Sequence, residues 1–208
     1  MTGRDFSCNA PEVDEVFGLV LSGGTGQRMG MDKGLIDYHG VPQAVWAWQQ
    51  LDALCEKSFV SVGASQVEKE PYVALPTLAD RTRAGGPATG LLTAWQEFPG
   101  AAWLVIGVDM PLLDYHMLSI LLDARDPSSL ATAYLADDLA PEPLCTIWEG
   151  KAESVLNRRI EAGDASLRRC LESSQVKVIH PKSRRRLRSA NSPDERDAIK
   201  RELDRSES

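Results

Sequence analysis

The chain has 208 residues, of which 43% are hydrophobic and 25% charged, and its formal net charge is −7. This length and composition are ordinary for a soluble globular protein and suit one α/β domain with a sizeable core. The negative charge argues against general nucleic-acid binding, which requires neutralisation of phosphates, and no apolar run approaches the roughly 20 residues that span a membrane. The four cysteines follow no metal or redox spacing, so we expect a cytoplasmic protein with no nucleic-acid or membrane partner.

Short apolar runs alternate with segments of helical periodicity along the chain. The predicted strands lie at residues 17–21, 35–38, 58–63, 72–75, 103–108, 130–135, 144–148 and 176–180. The predicted helices lie at residues 42–54, 88–98, 113–125, 152–162 and 166–173, with a last helix that begins at 192–193. This alternation predicts a three-layer α/β/α, Rossmann-like domain whose central sheet is mostly parallel.

The domain organisation predicted from these elements is simple. Residues 1–15 are polar and lack the apolar core of a signal peptide, and we expect them to form a flexible extension. Residues 16–203 form a single domain, and residues 204–208 form a polar tail. Ligands of such a sheet bind at the carboxyl ends of the strands. Two features follow predicted strand ends directly: a glycine-rich segment after Leu21, and Asp109 after the predicted central strand.

The glycine-rich segment reads VLSGGTGQRMGMDK and spans residues 20–33. It is not a phosphate loop of the Gly-x-x-x-x-Gly-Lys-Ser/Thr type, because Lys33 is preceded by Asp32 and followed by Gly34. It is also a poor dinucleotide fingerprint, since its last glycine falls one position too late for Gly-x-Gly-x-x-Gly. The segment therefore belongs to a different class of anion-binding loop.

The same segment offers two cations beside its glycines. Glycines allow backbone N–H groups to approach an anion closely, in a concave arrangement. Arg28 presents a planar fork to phosphate oxygens, and Lys33 presents a mobile point charge. The segment therefore predicts a site that binds a triphosphate and stabilises a departing pyrophosphate.

The segment resembles the L-x-G-G…R-M-G…D-K loop of the nucleotidyltransferases, and in particular that of the molybdenum cofactor guanylyltransferase family. Four further segments resemble motifs of that family in the same order. They are Asp80 with AGGPATG at 84–90, VDMP at 108–111, PEPLC at 141–145 and NSPDE at 191–195. Each motif alone is moderately specific, but the ordered set is specific, and it extends over nearly the whole chain.

The resemblance implies a reaction, a cofactor and a set of site residues. The family joins GMP from GTP to the terminal phosphate of molybdopterin, with Mg²⁺, and releases pyrophosphate. GTP, molybdopterin and the enzymes that accept the finished cofactor are the implied partners. The implied catalytic residues are Arg28, Lys33 and Asp109, and Asp109 is the implied Mg²⁺ ligand. The implied nucleotide-binding residues are Leu21, Ser22, Gly23, Gly24, Lys33, Asp80 and Asp109, and the implied pterin-side residues are Glu142 and Asn191.

The implied reaction requires positioning rather than covalent catalysis by the protein. The acceptor phosphate attacks the α-phosphorus in line and is already anionic, so no general base is required. Two polyanions must meet, and a cation must lie between them. A lone carboxylate such as Asp109, completed by phosphate oxygens and waters, is the usual way in which Mg²⁺ is held. A turn or helix-capping role for Asp109 is the alternative.

The identity of the nucleotide base is the property that the sequence determines least. A carboxylate at Asp80 accepts hydrogen bonds from the amino and ring N–H groups of guanine, but a ribose contact or a turn is open to it as well. The family often has alanine at the position of Ser22. The family's nucleotide-binding asparagine after the second strand is missing from this chain, and Ser65 and Gln66 are the candidates to replace it. The alternatives are a cytidylyltransferase acting on the same pterin, a sugar-phosphate nucleotidyltransferase, and a nucleotide-binding regulator without catalysis.

Four polar features of the C-terminal half have two interpretations each. Glu142 contacts the pterin or only shapes a turn between prolines, and Asn191 contacts the metal or pterin or only precedes a helix. Arg168 and Arg169 meet the pterin phosphate or belong to a solvated helix face. The basic segment KSRRRLR at 182–188 is a solvated loop or a rim that draws in an anionic substrate.

Overall fold

The computed structural model of the chain describes residues 15–23, 32–81 and 84–206. All but the last residue of the predicted N-terminal extension, and the predicted site residues Gly24 and Arg28, lie outside these ranges. Within the ranges, the strands are β1 (Val16–Leu21), β2 (Ser58–Val62), β3 (Thr77–Ala79), β4 (Ala102–Gly107), β5 (Ala131–Leu135), β6 (Pro141–Trp148) and β7 (Val176–Ile179). The α-helices are α1 (Gln43–Asp52), α2 (Pro87–Glu97), α3 (Tyr115–Asp123), α4 (Ala152–Glu161), α5 (Leu167–Glu172) and α6 (Pro193–Ser206).

The strands form one sheet in the order β3-β2-β1-β4-β6-β5-β7. Neighbouring strands are parallel except at β6, which runs antiparallel to both β4 and β5. The carboxyl ends of β1 to β4 therefore lie at one edge of the sheet. The beginning of β6 lies at the same edge, because Cys145 of β6 pairs with Ile106 near the end of β4. The predicted mostly parallel sheet is confirmed.

Alternate side chains of the central strands enter two separate apolar clusters. On β1, Phe17 packs with residues of α2, α4 and α5, whereas Val20 packs with residues of α1 and α3. On β4, Trp103 belongs to the first cluster and Leu104 to the second. Both faces of the sheet are thus covered by helices, as expected for parallel strands buried on two sides. The predicted three-layer, Rossmann-like fold is confirmed.

The predicted strand at 35–38 is wrong. Lys33–Leu35 forms a short 3-10 helix, and Asp37 makes only an isolated β-bridge. The side chain of Asp32 caps this turn by accepting a hydrogen bond from the N–H of Gly34 at 2.9 Å. A local cap of this kind offers the backbone an alternative to a strand, and the apolar pattern of so short a run does not override it.

The predicted strand at 72–75 is also wrong. Tyr72–Ala74 is a 3-10 helix, and the edge strand of the sheet is β3, a few residues later. Tyr72 is 1% exposed and packs in the apolar cluster that contains α1 and α3. Short apolar runs do not distinguish a strand from a buried turn, which explains the error.

A capping box begins the last helix, α6, at the predicted position. The hydroxyl of Ser192 accepts a hydrogen bond from the N–H of Glu195 at 3.3 Å, and the carboxylate of Glu195 accepts one from the N–H of Ser192 at 2.9 Å. Ile199 packs in a small apolar cluster with Ala190, and the helix continues to Ser206. Among the helices of the described ranges, none is long and apolar enough to cross a membrane.

Candidate active site

The predicted site residues that the structure describes gather at the edge of the sheet where β1, β3 and β4 end. The backbone of Ser22 continues the sheet, since its N–H donates to the carbonyl of Ser61 at 3.0 Å. On the other side of β1, the N–H of Val108 donates to the carbonyl of Leu21 at 3.2 Å. Leu21 is buried beneath the site, and Gly23 follows at the surface of the edge. β1 and β4 are neighbours in the middle of the sheet, and ligands of open α/β folds bind at the carboxyl ends of such strands.

Lys33 connects the predicted metal ligand to the C-terminal motif. Its Nζ donates to a carboxylate oxygen of Asp109 at 2.9 Å and to the side-chain oxygen of Asn191 at 2.6 Å. The side chains of Lys33 and Asp109 are 21% and 16% exposed, so both remain open to a ligand. The fold therefore joins the predicted phosphate-binding cation, Lys33, to a carboxylate 76 residues away and to an amide 158 residues away in the sequence.

Asn191 is held in this position by its own backbone and by its neighbours. The N–H of Ala190 donates to the carbonyl of Asp109 at 2.8 Å, which fixes the segment to the end of β4. The N–H of Asn191 donates to the carboxylate of Glu195 at 2.8 Å, and this bond is the main reason that the pKa of Glu195 lies below its usual value. Glu195 of the capping box thus holds the backbone of Asn191 as well as the start of α6.

Asp80 lies against the glycine that follows β1. One carboxylate oxygen accepts a hydrogen bond from the hydroxyl of Ser61 at 2.7 Å. The other faces Gly23, where an added Cβ would lie 2.6 Å from it, so a larger residue there would displace the carboxylate. Burial raises the pKa of Asp80, and the hydrogen bond from Ser61 opposes that shift. The predicted nucleotide residues of β1 and β3 are therefore brought together, with Ser61 as a partner that the sequence did not indicate.

Glu142 lies at the start of β6, which neighbours β4 on the side away from β1. Its carboxylate accepts a hydrogen bond from the N–H of Leu144 at 3.0 Å and lies 4.0 Å from the guanidinium of Arg168. Burial is the main cause of its raised pKa, and the nearby charge of Asp109 acts in the same direction. Glu142 and Arg168 line one cleft together with Arg184, Arg188 and Ser189.

The basic segment at 182–188 is fastened to the fold rather than solvated throughout. Arg185 and Arg188 form ion pairs with Glu202 of α6, and Arg186 forms one with Asp114 before α3. Arg184 has no carboxylate within ion-pair distance among the described residues, and it faces the cleft that contains Glu142.

Arg168 and Arg169 separate in the structure. Arg168 lines the cleft and forms an ion pair with Asp138, whereas Arg169 is paired with Asp164 and does not line the cleft. The solvated-face interpretation therefore suits Arg169, and the pterin-side interpretation stays a prediction for Arg168.

Two residues of the site, Gln66 and Tyr72, carried little or no sequence signal. Gln66, one of the two replacements considered for the missing asparagine, donates from its side-chain amide to Asp32 at 2.6 Å and accepts from the N–H of Gly63 at 2.9 Å. Tyr72 donates to the same carboxylate of Asp32 at 2.8 Å. For Tyr72, the Asp-Lys pair of the glycine-rich segment was the one hint, because it placed a carboxylate beside the predicted phosphate ligand.

The donor set at Asp109 suits Mg²⁺ and does not suit a metal that needs a cage of side chains. No group of three or more His, Cys, Asp or Glu residues in the described part of the chain is arranged to hold a metal ion. Asp109 supplies a single carboxylate that is partly exposed at the edge of the sheet. Mg²⁺ is usually held by one or two carboxylates, with phosphate oxygens and waters completing the octahedron.

Comparisons with known proteins identify what this chain is similar to. Residues 18–178 match the family model of the MobA-like NTP transferase domain. A molybdenum cofactor biosynthesis bifunctional protein of Synechocystis is 34% identical over 181 residues. These residues cover 86% of this chain and 52% of that protein, so the chain spans about half the length of that relative. A molybdenum cofactor guanylyltransferase of Pseudomonas putida is 28% identical over 85% of this chain and 93% of its own length.

A solved structure has the same fold. Molybdopterin-guanine dinucleotide biosynthesis protein A from Archaeoglobus fulgidus superposes with a TM-score of 0.76 at 20% sequence identity, over 91% of this chain and 99% of that one. At this identity the likeness shows a shared fold and nothing finer.

Proposed function

Because this chain belongs to the MobA-like NTP transferase family and is a nucleotidyltransferase, we propose that it transfers GMP from GTP to the terminal phosphate of molybdopterin, with release of pyrophosphate. The observation that carries the proposal is the meeting of Lys33 with Asp109 and Asn191 at the carboxyl edge of the sheet. A site that only binds a nucleotide has no need of a leaving-group cation beside a metal ligand. Enzymes that take up the finished cofactor remain predicted partners.

The roles of the residues follow from where charge develops. The acceptor phosphate attacks the α-phosphorus, the bond to the β-phosphate breaks, and negative charge accumulates on the departing pyrophosphate. Lys33 and Arg28 are the residues that we assign to that charge, and such preorganised cations are usually the largest contribution to catalysis. Asp109 is the residue that would hold Mg²⁺. When bound, Mg²⁺ neutralises the phosphate oxygens between the two polyanions.

The test of the activity uses the purified protein with Mg²⁺, molybdopterin and one nucleoside triphosphate at a time. We expect pyrophosphate release with GTP and a far smaller rate with CTP, ATP or UTP. Release with CTP and not GTP would replace the proposal by a cytidylyltransferase. Turnover that requires a sugar phosphate instead of molybdopterin, or GTP binding without any turnover, would contradict it in favour of the other two alternatives.

Asp80 is the residue that we assign to the base. The ring N–H and amino group of guanine are two adjacent donors, and a carboxylate accepts from both, whereas cytosine lacks this pair of donors. In the Asp80→Asn variant we expect kcat/KM for GTP to fall by about 10- to 100-fold, because a site that hydrogen-bonds a substrate discriminates strongly. The residual rate with CTP, measured on the same variant, serves as the control and should change little.

The pH dependence gives a second measurement on Asp80. Burial raises its pKa, so the carboxylate takes up a proton at a higher pH than an ordinary aspartate would. As the pH falls through that pKa, KM for GTP should rise in the wild type and not in Asp80→Asn. An equal loss of GTP and CTP turnover in the variant would instead favour a ribose contact or a structural turn.

The cleft that contains Glu142 is the side from which we expect the acceptor to enter. Arg184 is exposed there without a carboxylate partner among the described residues, and a phosphate is a suitable counter-ion. In Arg184→Ala we expect KM for molybdopterin to rise by about tenfold, the size of one hydrogen bond to a charged group, while KM for GTP stays constant. Arg158→Ala, at an exposed position of α4, is the matched control. Equal effects on both KM values would contradict the assignment.

A further inference from the structure

One buried hydroxyl joins the beginning and the end of the glycine-rich segment. The hydroxyl oxygen of Tyr72 lies 2.9 Å from that of Ser22 and 2.8 Å from a carboxylate oxygen of Asp32. A tyrosine has a single hydroxyl hydrogen. Tyr72 donates it to Asp32, so the hydroxyl of Ser22 must donate to Tyr72. The end of β1 and the turn that carries Lys33 are therefore tied through one atom.

The backbone of Gly34 lies close against this hydroxyl. An added Cβ on Gly34 would lie 2.1 Å from the hydroxyl oxygen of Tyr72 and 2.9 Å from that of Ser22. Real Cβ atoms do not approach so closely, so the turn can approach β1 only because residue 34 is glycine. Tyr72 itself is 1% exposed, and burial raises its pKa above the usual value, which keeps the hydroxyl neutral and able to donate.

Asp32 carries the connection to the next strand. Its second carboxylate oxygen accepts a hydrogen bond from the side-chain amide of Gln66 at 2.6 Å, and Gln66 accepts one from the N–H of Gly63, directly after β2, at 2.9 Å. The first oxygen also accepts from the N–H of Gly34 at 2.9 Å. Asp32 is thus fixed by three side-chain or backbone donors, two of them from other parts of the chain.

Lys33 is the next residue, and its position follows from that of Asp32. From a fixed Asp32, the side chain of Lys33 reaches both Asp109 and Asn191. We infer that Tyr72 is a positioning residue, which holds the backbone after β1 and the ammonium of Lys33 at the separation that the triphosphate requires. This inference rests on the proposed function for its catalytic consequence, but not for its effect on Lys33.

The experiment compares Tyr72→Phe with Tyr134→Phe. Tyr134 is also 1% exposed and lies in the same apolar cluster, and among the described residues its hydroxyl only donates to the carbonyl of Met117, at 2.8 Å. The first measurement is the acetylation rate of Lys33 by acetic anhydride in the ligand-free protein, followed by mass spectrometry and referred to the exposed Lys177. The second is kcat and KM with GTP, Mg²⁺ and molybdopterin.

In Tyr72→Phe we expect Lys33 to be acetylated several-fold faster and kcat to fall by about 10- to 100-fold, since small misplacements of a catalytic group have effects of this size. Tyr134→Phe should lose similar thermal stability without either change. An unaltered Lys33 rate in Tyr72→Phe, or equal kcat losses in both variants, would overturn the inference. If wild-type protein shows no turnover with GTP, the proposed function fails, while the acetylation rates still decide the role of Tyr72.

Should Tyr72→Phe not fold, Ser22→Ala takes its place, because it removes only the donor to Tyr72 and leaves the bond to Asp32. In Ser22→Ala we expect the same two changes, faster acetylation of Lys33 and a lower kcat, but smaller ones. A folded Ser22→Ala variant with unaltered Lys33 acetylation would then count against the inference.

Discussion

In the Asp109→Asn variant, we expect turnover to fall by about three orders of magnitude or more while the protein stays folded. Asparagine has the same shape, but it lacks the negative charge that would hold Mg²⁺ among phosphate oxygens. The backbone bond from Ala190 to the carbonyl of Asp109 is unaffected, and the side chain is partly exposed, so stability should change little. The measurements are kcat with GTP and molybdopterin, the Mg²⁺ concentration for half-maximal rate, and thermal unfolding.

The matched control for this variant is Asp123→Asn, at the exposed end of α3. It makes the same change of charge far from the site and should keep wild-type kcat. Wild-type turnover in Asp109→Asn would remove the metal role from Asp109 and leave it as a partner of Lys33. A loss of turnover that accompanies unfolding would assign Asp109 to the fold instead of the chemistry.

The Lys33→Met variant should lower kcat by about 100- to 1000-fold, the usual effect of removing one preorganised group that stabilises charge in the transition state. Methionine keeps most of the apolar stem and removes the charge. KM for molybdopterin should change less than kcat, because the assigned role of Lys33 is to neutralise the departing pyrophosphate.

A Mg²⁺ titration distinguishes the roles of Lys33 and Asp109. The ammonium of Lys33 lies 2.9 Å from the carboxylate oxygen of Asp109, so it competes with a metal ion for that oxygen. Lys33→Met should therefore need no more Mg²⁺ than wild type for its residual rate, whereas Asp109→Asn should need much more. Lys177→Met on β7 is the control for loss of a lysine. A kcat of wild-type size in Lys33→Met would show that the leaving group is stabilised elsewhere.

The elements that the sequence predicted well are those with long or uniform patterns. The strand at 103–108 is a continuous apolar run, and it became β4 at the centre of the sheet. The helix at 192–193 was predicted from a serine and a proline, and the capping box formed there. The predicted strands at 35–38 and 72–75 failed because a side-chain cap and a buried tyrosine decided those short segments.

The order of motifs along the chain was enough to predict the family and the reaction class. Each motif is local: glycines permit close approach of an anion, and charged residues after strand ends mark the ligand edge of a parallel sheet. Such features depend on residue type and spacing, which the sequence gives directly. The comparisons confirm the family over residues 18–178, which contain every quoted motif except NSPDE at 191–195.

Only the tertiary structure decided which polar groups meet. Lys33 reaches Asp109 and Asn191 across 76 and 158 residues, and the hydroxyl of Tyr72 lies between Ser22 and Asp32. These contacts depend on strand order, side-chain direction and burial, none of which has a local signature. The arginines of the 182–188 segment show the same limit, since sequence alone does not tell which of them have carboxylate partners. The sequence by itself thus determined the family and the reaction class, and the packing of distant segments decided which side chains lie together at the predicted site.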